Sequence, residues 1–553
     1  MAIFRAPAPQ DHWGSSVTRA MHSSGGQQRP TSTGTTSDGH RDMTVRRVVA
    51  VSPADVLERE ARLFEALERA FPVRFVSRRG LNRSCDAAIV ADASRPPADI
   101  PTVMLRRGAS TSQSVTLAAS EPVDRRLWGI TLPTRSCGGE VEVNETDLVL
   151  AGARGRAMWV RTPGPASVDR VGVAMPGLAS DEVLRDALVP ERALGLIAII
   201  DLLRRVTGDI AYEPPPIRAA LLFDDPNLRW RSYGHIDYRQ LLRHAEEHGY
   251  HAAMAMIPLD ASRPHAAAAS MFRQHSERLS LVIHGNNHER LELMQPKNVG
   301  VALELGAQAL RRVSRFEASS GVHVAPIMVP PHGMCSPTMA GALAALPFDA
   351  LCAIHPYPWT EKPPSHDLLA GWAPASFADG CAVILRLPFG VTATEIALRA
   401  YIDQPIVLYG HHEDVAEGLD VLAEAASRVN RLGAVKWTSL EEIARGNAGV
   451  RRDGNTISLR AYSHAMRIPD GADSLMIARP DGDRGLRGWS FDGEREVNPF
   501  DQPIPVAAGA VHVRLRRLFE RHPAAVSLPR PRVWPRLRRI ATESRDRLSA
   551  VRP

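Results

Sequence analysis

Short apolar runs alternate with longer amphipathic segments between residues 216 and 448. Apolar runs of about four to eight residues are typical of strands that are buried on both faces. Alternation of such strands with helices predicts a parallel α/β sheet or barrel. The eight predicted strands cover residues 219–223, 252–257, 279–283, 325–329, 350–354, 382–387, 405–409 and 434–437.

The amphipathic segments predict helices between several of these strands. They cover residues 238–248, 301–319, 338–346 and 415–431. Ser439, followed three residues later by Glu442, forms a capping box that begins a last helix. We therefore assign residues 216–448 to one parallel α/β domain.

Different patterns flank this domain on both sides. Residues 45–215 predict a small open α/β sheet that ends in an apolar helix at 191–206. Residues 449–513 alternate in strand fashion between turn signals, which predicts a small β-sandwich-like domain. An Arg-rich tail follows at 514–553. Most of residues 1–44 are Ser, Thr, Gly, Pro, Gln or His, so a disordered leader is predicted there.

The formal net charge of +6 comes from the tail. Residues 514–553 hold twelve Arg against Glu520, Glu543 and Asp546, a balance of +9 that leaves about −3 for the other residues. Because the residues outside the tail are near neutral in total charge, we expect no specific nucleic acid partner. The tail itself could bind an anionic membrane surface or an acidic polymer, and the alternative is a solvated, disordered tail.

The cysteine spacing argues against a disulfide framework or a thiolate zinc site. The five cysteines are scattered without CxxC spacing, which favours reduced and mostly buried thiols. No apolar run reaches about eighteen residues, and the N-terminus lacks the apolar region of a signal peptide. A cytoplasmic location is therefore expected.

Ionisable residues follow the apolar strands where functional groups of a parallel barrel gather. Asp224 and Asp225 end one strand, and His284 and His288 follow another. The i, i+4 spacing of the two histidines places their imidazoles on one side of a helical turn. Two imidazoles and one carboxylate suit zinc or another first-row metal with open coordination positions. Adjacent carboxylates cannot both point at one atom, so one can ligate while the other takes a proton.

Several of these motifs together resemble the polysaccharide deacetylases, carbohydrate esterase family 4. They are Asp224-Asp225-Pro226, His-Gly-Asn-Asn-His at 284–288, Pro-Pro-His-Gly at 330–333, and His411 at the end of a late strand. The resemblance spans residues 217–446. It implies an incomplete (β/α)7-type barrel, a carbohydrate substrate and a divalent metal, zinc by preference. It also implies Asp224 as catalytic base, Asp225, His284 and His288 as metal ligands, and His411 as general acid.

The chain departs from the family pattern at several positions. The family's base-orienting Arg is replaced by Val329, and Arg386 on a neighbouring strand is the candidate substitute. Only Trp359 corresponds to the family's Asp-and-Trp motif. Eight strands are predicted where the family has seven.

Three functional hypotheses follow from the sequence. The leading one is a metal-dependent hydrolase that removes an acyl group, acetyl above all, from an amino sugar or polysaccharide. The alternative is a non-catalytic glycan-binding relative that acts as a scaffold or docking module. A third is a different hydrolase on a similar barrel, such as a glycosidase, which would need two carboxylates across a cleft. A cytoplasmic sugar or a lipid-linked intermediate at the inner leaflet would suit a chain without a signal peptide.

Overall fold

The computed structural model describes residues 46–77, 85–92, 99–106, 111–137, 140–356, 367–372, 374–480, 485–492, 494–530 and 533–551. The predicted leader at 1–44 and Trp359 lie outside these ranges.

The first part of the chain folds as a nine-stranded mixed sheet with helices packed against it. Its strands are β1 (Arg47–Ser52), β2 (Val73–Ser77), β3 (Ala87–Ala91), β4 (Thr102–Leu105), β5 (Thr111–Leu117), β6 (Thr131–Cys137), β7 (Leu148–Ala153), β8 (Arg156–Thr162) and β9 (Val168–Val171). Its helices are α1 (Ala54–Arg59), α2 (Ala61–Ala70) and α3 (Ala193–Thr207). The strand order is β2-β1-β3-β4-β9-β8-β7-β5-β6. The sheet is parallel from β2 to β9 and antiparallel beyond. The helix α3 buries eleven of its fifteen residues, and its charged residues Asp201, Arg204 and Arg205 are not among them.

The central part of the chain alternates strands and helices. Its strands are β10 (Arg218–Asp224), β11 (Ser232–Tyr233), β12 (Ile236–Asp237), β13 (Ala252–Met256), β14 (Leu279–His284), β15 (Val324–Val329), β16 (Ala350–Ala353), β17 (Ser376–Ala378), β18 (Cys381–Pro388), β19 (Ile406–Gly410) and β20 (Lys436–Trp437). Its helices are α4 (Tyr238–His248), α5 (Ala266–Gln274), α6 (Val299–Ser320), α7 (Pro337–Ala345), α8 (Ala393–Tyr401), α9 (Asp420–Asn430) and α10 (Leu440–Arg445).

Seven parallel strands close into a barrel in the order β10, β13, β14, β15, β16, β18 and β19. The ring closes because β10 pairs with both β13 and β19. The eighth predicted strand is not part of this ring, since β20 pairs only with Arg218 and Ala219 at the start of β10. The fold is therefore α/β with a seven-stranded barrel, as predicted. Ser439 caps α10 by accepting a hydrogen bond from the backbone of Glu442.

The remaining chain forms two small sheets and one long helix. Its elements are β21 (Ala448–Asp453), β22 (Thr456–Ala461), β23 (Ala465–Arg467), β24 (Ser474–Ala478), β25 (Leu486–Phe491), β26 (Ile504–Pro505), β27 (His512–Arg517) and α11 (Trp534–Val551). One sheet has the order β21-β22-β24-β26, and the other has β23-β27-β25. The predicted boundary at residue 513 falls inside β27. The alternative of a solvated, disordered tail is wrong, because β27 and α11 are folded and packed.

Residues 45–553 belong to one compact unit. Arg126, in the connection between β5 and β6, bonds Asp403 of the barrel domain at 2.6 Å, and Arg514 of β27 bonds Asp349 at 3.1 Å. All five cysteines are free and buried, as predicted. None of the helices in the described ranges has the length and hydrophobicity that a membrane span requires.

Candidate metal centre and active site

Strand alternation directs three of the candidate side chains into the barrel. Successive side chains of a strand point to opposite faces, so residues two apart share a face. Leu222, Val282 and Ile384 pack in the barrel interior. The residues two positions later on the same strands continue that face, and they are Asp224, His284 and Arg386.

Three potential metal ligands meet at the carboxyl end of the barrel. The Nε2 atoms of His284 and His288 lie 3.7 and 3.2 Å from Oδ1 of Asp225. One ligand atom from each of the three lies within 4.8 Å of the others. Oδ1 of Asp225 is buried and makes no hydrogen bond with any described residue. A buried carboxylate oxygen without a partner is costly, so this arrangement fits a divalent cation.

Asp225 reaches this position because its backbone interrupts the strand alternation. Its φ of 78° is left-handed, a conformation that aspartate adopts more readily than most residues. Regular alternation would send the side chain after Asp224 to the outer face. The left-handed turn instead brings both carboxylates to the same end of the barrel.

His284 is oriented by a hydrogen bond on the side of the ring away from Asp225. Its Nδ1 lies 3.0 Å from the carbonyl oxygen of Val329, which can only accept. Nδ1 therefore carries the proton, and Nε2 keeps its lone pair for a metal. Burial lowers the pKa of His284 to about 4, and the imidazole is therefore neutral near pH 7.

A buried glutamate holds the loop that carries His288. The Glu292 carboxylate accepts hydrogen bonds from the backbone N–H groups of Asn286, Asn287 and His288 at 2.8, 2.7 and 3.1 Å. Gly285 begins the loop with a φ of 58°, and a Cβ there would lie 2.7 Å from Oε2 of Glu292. The pKa of His288 is lowered to about 3, first by burial and then by nearby arginines and His332.

Asp224 pairs with Arg386 across the barrel. Nη1 of Arg386 donates to Oδ1 of Asp224 at 2.6 Å, and the two side chains are 1% and 5% exposed. Burial raises the pKa of Asp224, but the opposing electrostatic effects, that of the Arg386 charge above all, lower it by more. Arg386 thus occupies the orienting position predicted for it, and it keeps the carboxylate ionised.

The two histidines after β19 lie in different environments. His411 is exposed, and its backbone N–H donates to Asp414 at 2.7 Å. His412 is buried, and its ring packs edge-on against Tyr233. Nδ1 of His412 has no hydrogen-bond partner in the described part of the chain. Both histidines line the pocket of this site, His411 from an exposed position and His412 from a buried one.

The predicted tail supplies half of the wall of the pocket at this site. The pocket has a volume of about 200 Å³ and is lined by Asp225, His288, His411, His412, Glu413, Arg538, Arg539, Thr542, Arg545 and Asp546. Five of these ten residues belong to α11. Arg538 also donates a hydrogen bond to the carbonyl oxygen of His288 at 3.3 Å.

Buried charge pairs hold α11 against the barrel. Arg539 contacts Asp260 at 2.7 Å, and both side chains are at most 5% exposed. Glu543 accepts hydrogen bonds from Arg229 at 2.8 Å and from the indole of Trp230 at 3.1 Å. Because a partnerless charge would be costly to bury, these pairs fix which face of the helix meets the barrel.

Sequence reasoning missed Glu292 and the inner face of α11. Glu292 has a sequence signal, since a carboxylate four residues after His288 can reach back to the loop's N–H groups. The inner face of α11 has a weaker signal, because charged residues at three- and four-residue spacing usually face water.

Several solved structures match part of the chain, each at low sequence identity and low TM-score. No protein-family model and no curated protein matches the sequence. A Mycobacterium smegmatis structure assigned as a polysaccharide deacetylase matches with 13% identity and a TM-score of 0.29, covering 42% of this chain and 91% of that one. A family 4 carbohydrate esterase from Streptomyces lividans, in complex with acetate, matches with 13% identity and a TM-score of 0.25, covering 44% and 100%.

A family 4 pseudoenzyme from Bacillus anthracis matches with 12% identity and a TM-score of 0.26, covering 42% of this chain and 66% of that one. These identities and TM-scores are low, and the fold assignment rests on the strand pairing described above. At this distant level the chain is similar to a family 4 carbohydrate esterase and to a family 4 pseudoenzyme.

Proposed function

We propose that the protein is a metal-dependent hydrolase that removes an acyl group, acetyl above all, from an amino sugar or polysaccharide. The observation that carries the proposal is the convergence of Asp225, His284 and His288 beside the ionised Asp224. Two neutral imidazoles and a carboxylate are a common ligand set of catalytic zinc sites. A divalent ion held there would supply Lewis-acid chemistry, polarising an acyl carbonyl and making a water molecule more acidic.

The roles of the other residues follow from their environments. Asp224 is ionised and lies beside the ligands, so it can accept a proton from an attacking water. Arg386 orients that carboxylate and keeps it charged. His411 reaches solvent at the same pocket and can protonate a leaving amine, which departs poorly without a proton.

A non-catalytic glycan-binding role is the second candidate. The contribution of α11 to the pocket favours it, because Arg538 and Asp546 line the same pocket as the ligand residues Asp225 and His288. Such a protein would bind metal and a sugar chain without releasing acetate.

Metal content and acetate release distinguish the two candidates. We expect about one zinc per chain in the parent protein, and strongly reduced zinc in Asp225→Ala and His284→Ala. His248→Ala is the matched control, because His244 and His248 have the same i, i+4 spacing on α4, and His248 is exposed and is not one of the three residues that meet at Asp225. Full zinc content in both ligand variants would refute the metal site.

Acetate release is then measured on a panel of N-acetylated sugars. If the parent protein releases acetate, and Asp224→Asn retains the metal but releases none, the proposed hydrolase function is supported. Retained metal with no acetate from any substrate would overturn the hydrolase and support the binding role.

A further inference from the structure

The helix α11 is amphipathic, but it buries its charged face instead of its apolar face. Its charged face is turned toward the barrel, where Arg539, Glu543 and Asp546 are buried. These residues recur at spacings of three and four, so they form one face of the helix. A helix that packs on a protein core usually buries its apolar face instead.

The opposite face of the same segment is apolar and open to solvent. Val533 and Trp534 are 70% and 69% exposed, and Leu537 and Ile540 are 54% and 56% exposed. Their spacing places all four on one side, away from the buried charges. We call this set the outer stripe. Four large apolar side chains exposed side by side mark an interaction surface rather than scattered surface residues.

Arginines border the outer stripe on both sides. Arg536 lies along one edge, and Arg538 and Arg545, which also line the pocket, lie along the other. All three residues are exposed, and Arg545 pairs with Asp546 at 2.9 Å. Neither Arg536 nor Arg538 forms an ion pair with a carboxylate in the described ranges. The segment 514–553 as a whole carries a balance of +9. The surface around the stripe is therefore both apolar and positively charged.

We propose that the outer stripe docks the protein onto an anionic lipid bilayer. An interfacial helix inserts Trp, Leu and Ile to the level of the acyl chains, while Arg side chains at its edges reach the phosphates. Trp is favoured at this depth. The face that such a helix normally turns to water is covered here by the barrel. Charge complementarity favours anionic lipid over a neutral apolar partner.

Docking would place the pocket close to the membrane surface, because α11 forms both the docking face and half of the pocket wall. Substrates carried on lipids would then be presented to His411 and the ligand residues. The docking inference does not depend on the proposed hydrolysis, since it rests on the outer stripe and its arginines alone. Vesicle binding therefore tests the docking, while metal content and acetate release test the proposed function, and either can fail without the other.

Vesicle sedimentation of the full chain tests the proposal. We expect binding to phosphatidylcholine vesicles that contain 30% phosphatidylglycerol, and little binding to phosphatidylcholine alone. The variant Trp534→Ser/Leu537→Ser/Ile540→Ser should bind the anionic vesicles at least tenfold more weakly. Arg536→Glu, a single exposed change, should also weaken binding, and raised salt should weaken it in every variant.

The matched control is Val299→Ser/Val301→Ser, which removes two exposed apolar side chains from α6. It should leave vesicle binding unchanged. Absence of binding to anionic vesicles would overturn the proposal, as would equal binding by the parent and the triple variant. Light scattering that shows a dimer dissociated by the triple variant, without vesicle binding, would assign the stripe to a second copy of the chain.

Discussion

Replacing Arg386 with methionine tests the pairing of the proposed base. The Arg386 and Asp224 side chains are almost fully buried, and the atoms that join them are 2.6 Å apart. Removing one partner of a buried, hydrogen-bonded ion pair costs about 3–5 kcal/mol, because the remaining charge has neither water nor a counter-charge. We expect Arg386→Met to lower the free energy of unfolding by about this amount at pH 7.

The loss should depend on pH because Asp224 titrates. In the parent protein its pKa lies below the ordinary value, so its stabilisation is complete above the unfolded pKa of about 3.9 and fades as pH falls through the folded pKa. In Arg386→Met, burial is no longer opposed by Arg386, and the pKa of Asp224 should rise. The two proteins should therefore differ less in stability as pH falls below that raised pKa.

Urea unfolding of chelator-treated protein at several pH values measures this difference. Arg59→Met is the matched control, because Arg59 pairs with Asp55 on an exposed helix face and should cost less than about 0.5 kcal/mol. Adding Asp224→Asn to Arg386→Met should recover part of the loss. A loss below about 1 kcal/mol in Arg386→Met, or one that is constant with pH, would refute a buried, charged pair.

Three further predictions concern the loop and ligands around His288. Glu292→Gln should weaken zinc affinity by about 10–100-fold, measured by competition with a chelating dye, because the acceptor that holds the loop is altered. Gly285→Ala should lower the free energy of unfolding by at least about 1–2 kcal/mol in urea titrations, since the left-handed backbone and the close Glu292 oxygen leave no room for a Cβ. Zinc occupancy, measured as a function of pH, should fall only below about pH 5, because the pKa values of His284 and His288 are lowered to about 4 and 3. A midpoint of zinc loss near pH 6.5 would contradict the burial of these rings.

Much of the barrel could be predicted because its strands are apolar and its helices amphipathic. All seven barrel strands and α4 follow directly from that pattern. The meeting of Asp224 and Arg386 also follows from alternation, once both strands are placed in one barrel. β5 was not predicted, because the sequence Thr-Ser-Gln-Ser-Val-Thr-Leu at 111–117 is mostly polar.

The inner face of α11 could not be predicted from hydrophobic pattern alone. Pattern reasoning places apolar stripes inward, whereas this helix is fixed by charge pairs such as Arg539 with Asp260. Those pairs join residues far apart in the chain, and no local signal reports them. The same holds for the pocket wall, in which His411 and Asp546 come together only through tertiary packing.

The most direct test of the metal centre is anomalous X-ray diffraction at the zinc edge from crystals of the full chain grown with zinc. We predict one strong peak at about 2.0–2.2 Å from Nε2 of His284, from Nε2 of His288 and from a carboxylate oxygen of Asp225. Zinc bound elsewhere, or no peak between these three side chains, would refute the proposed metal centre.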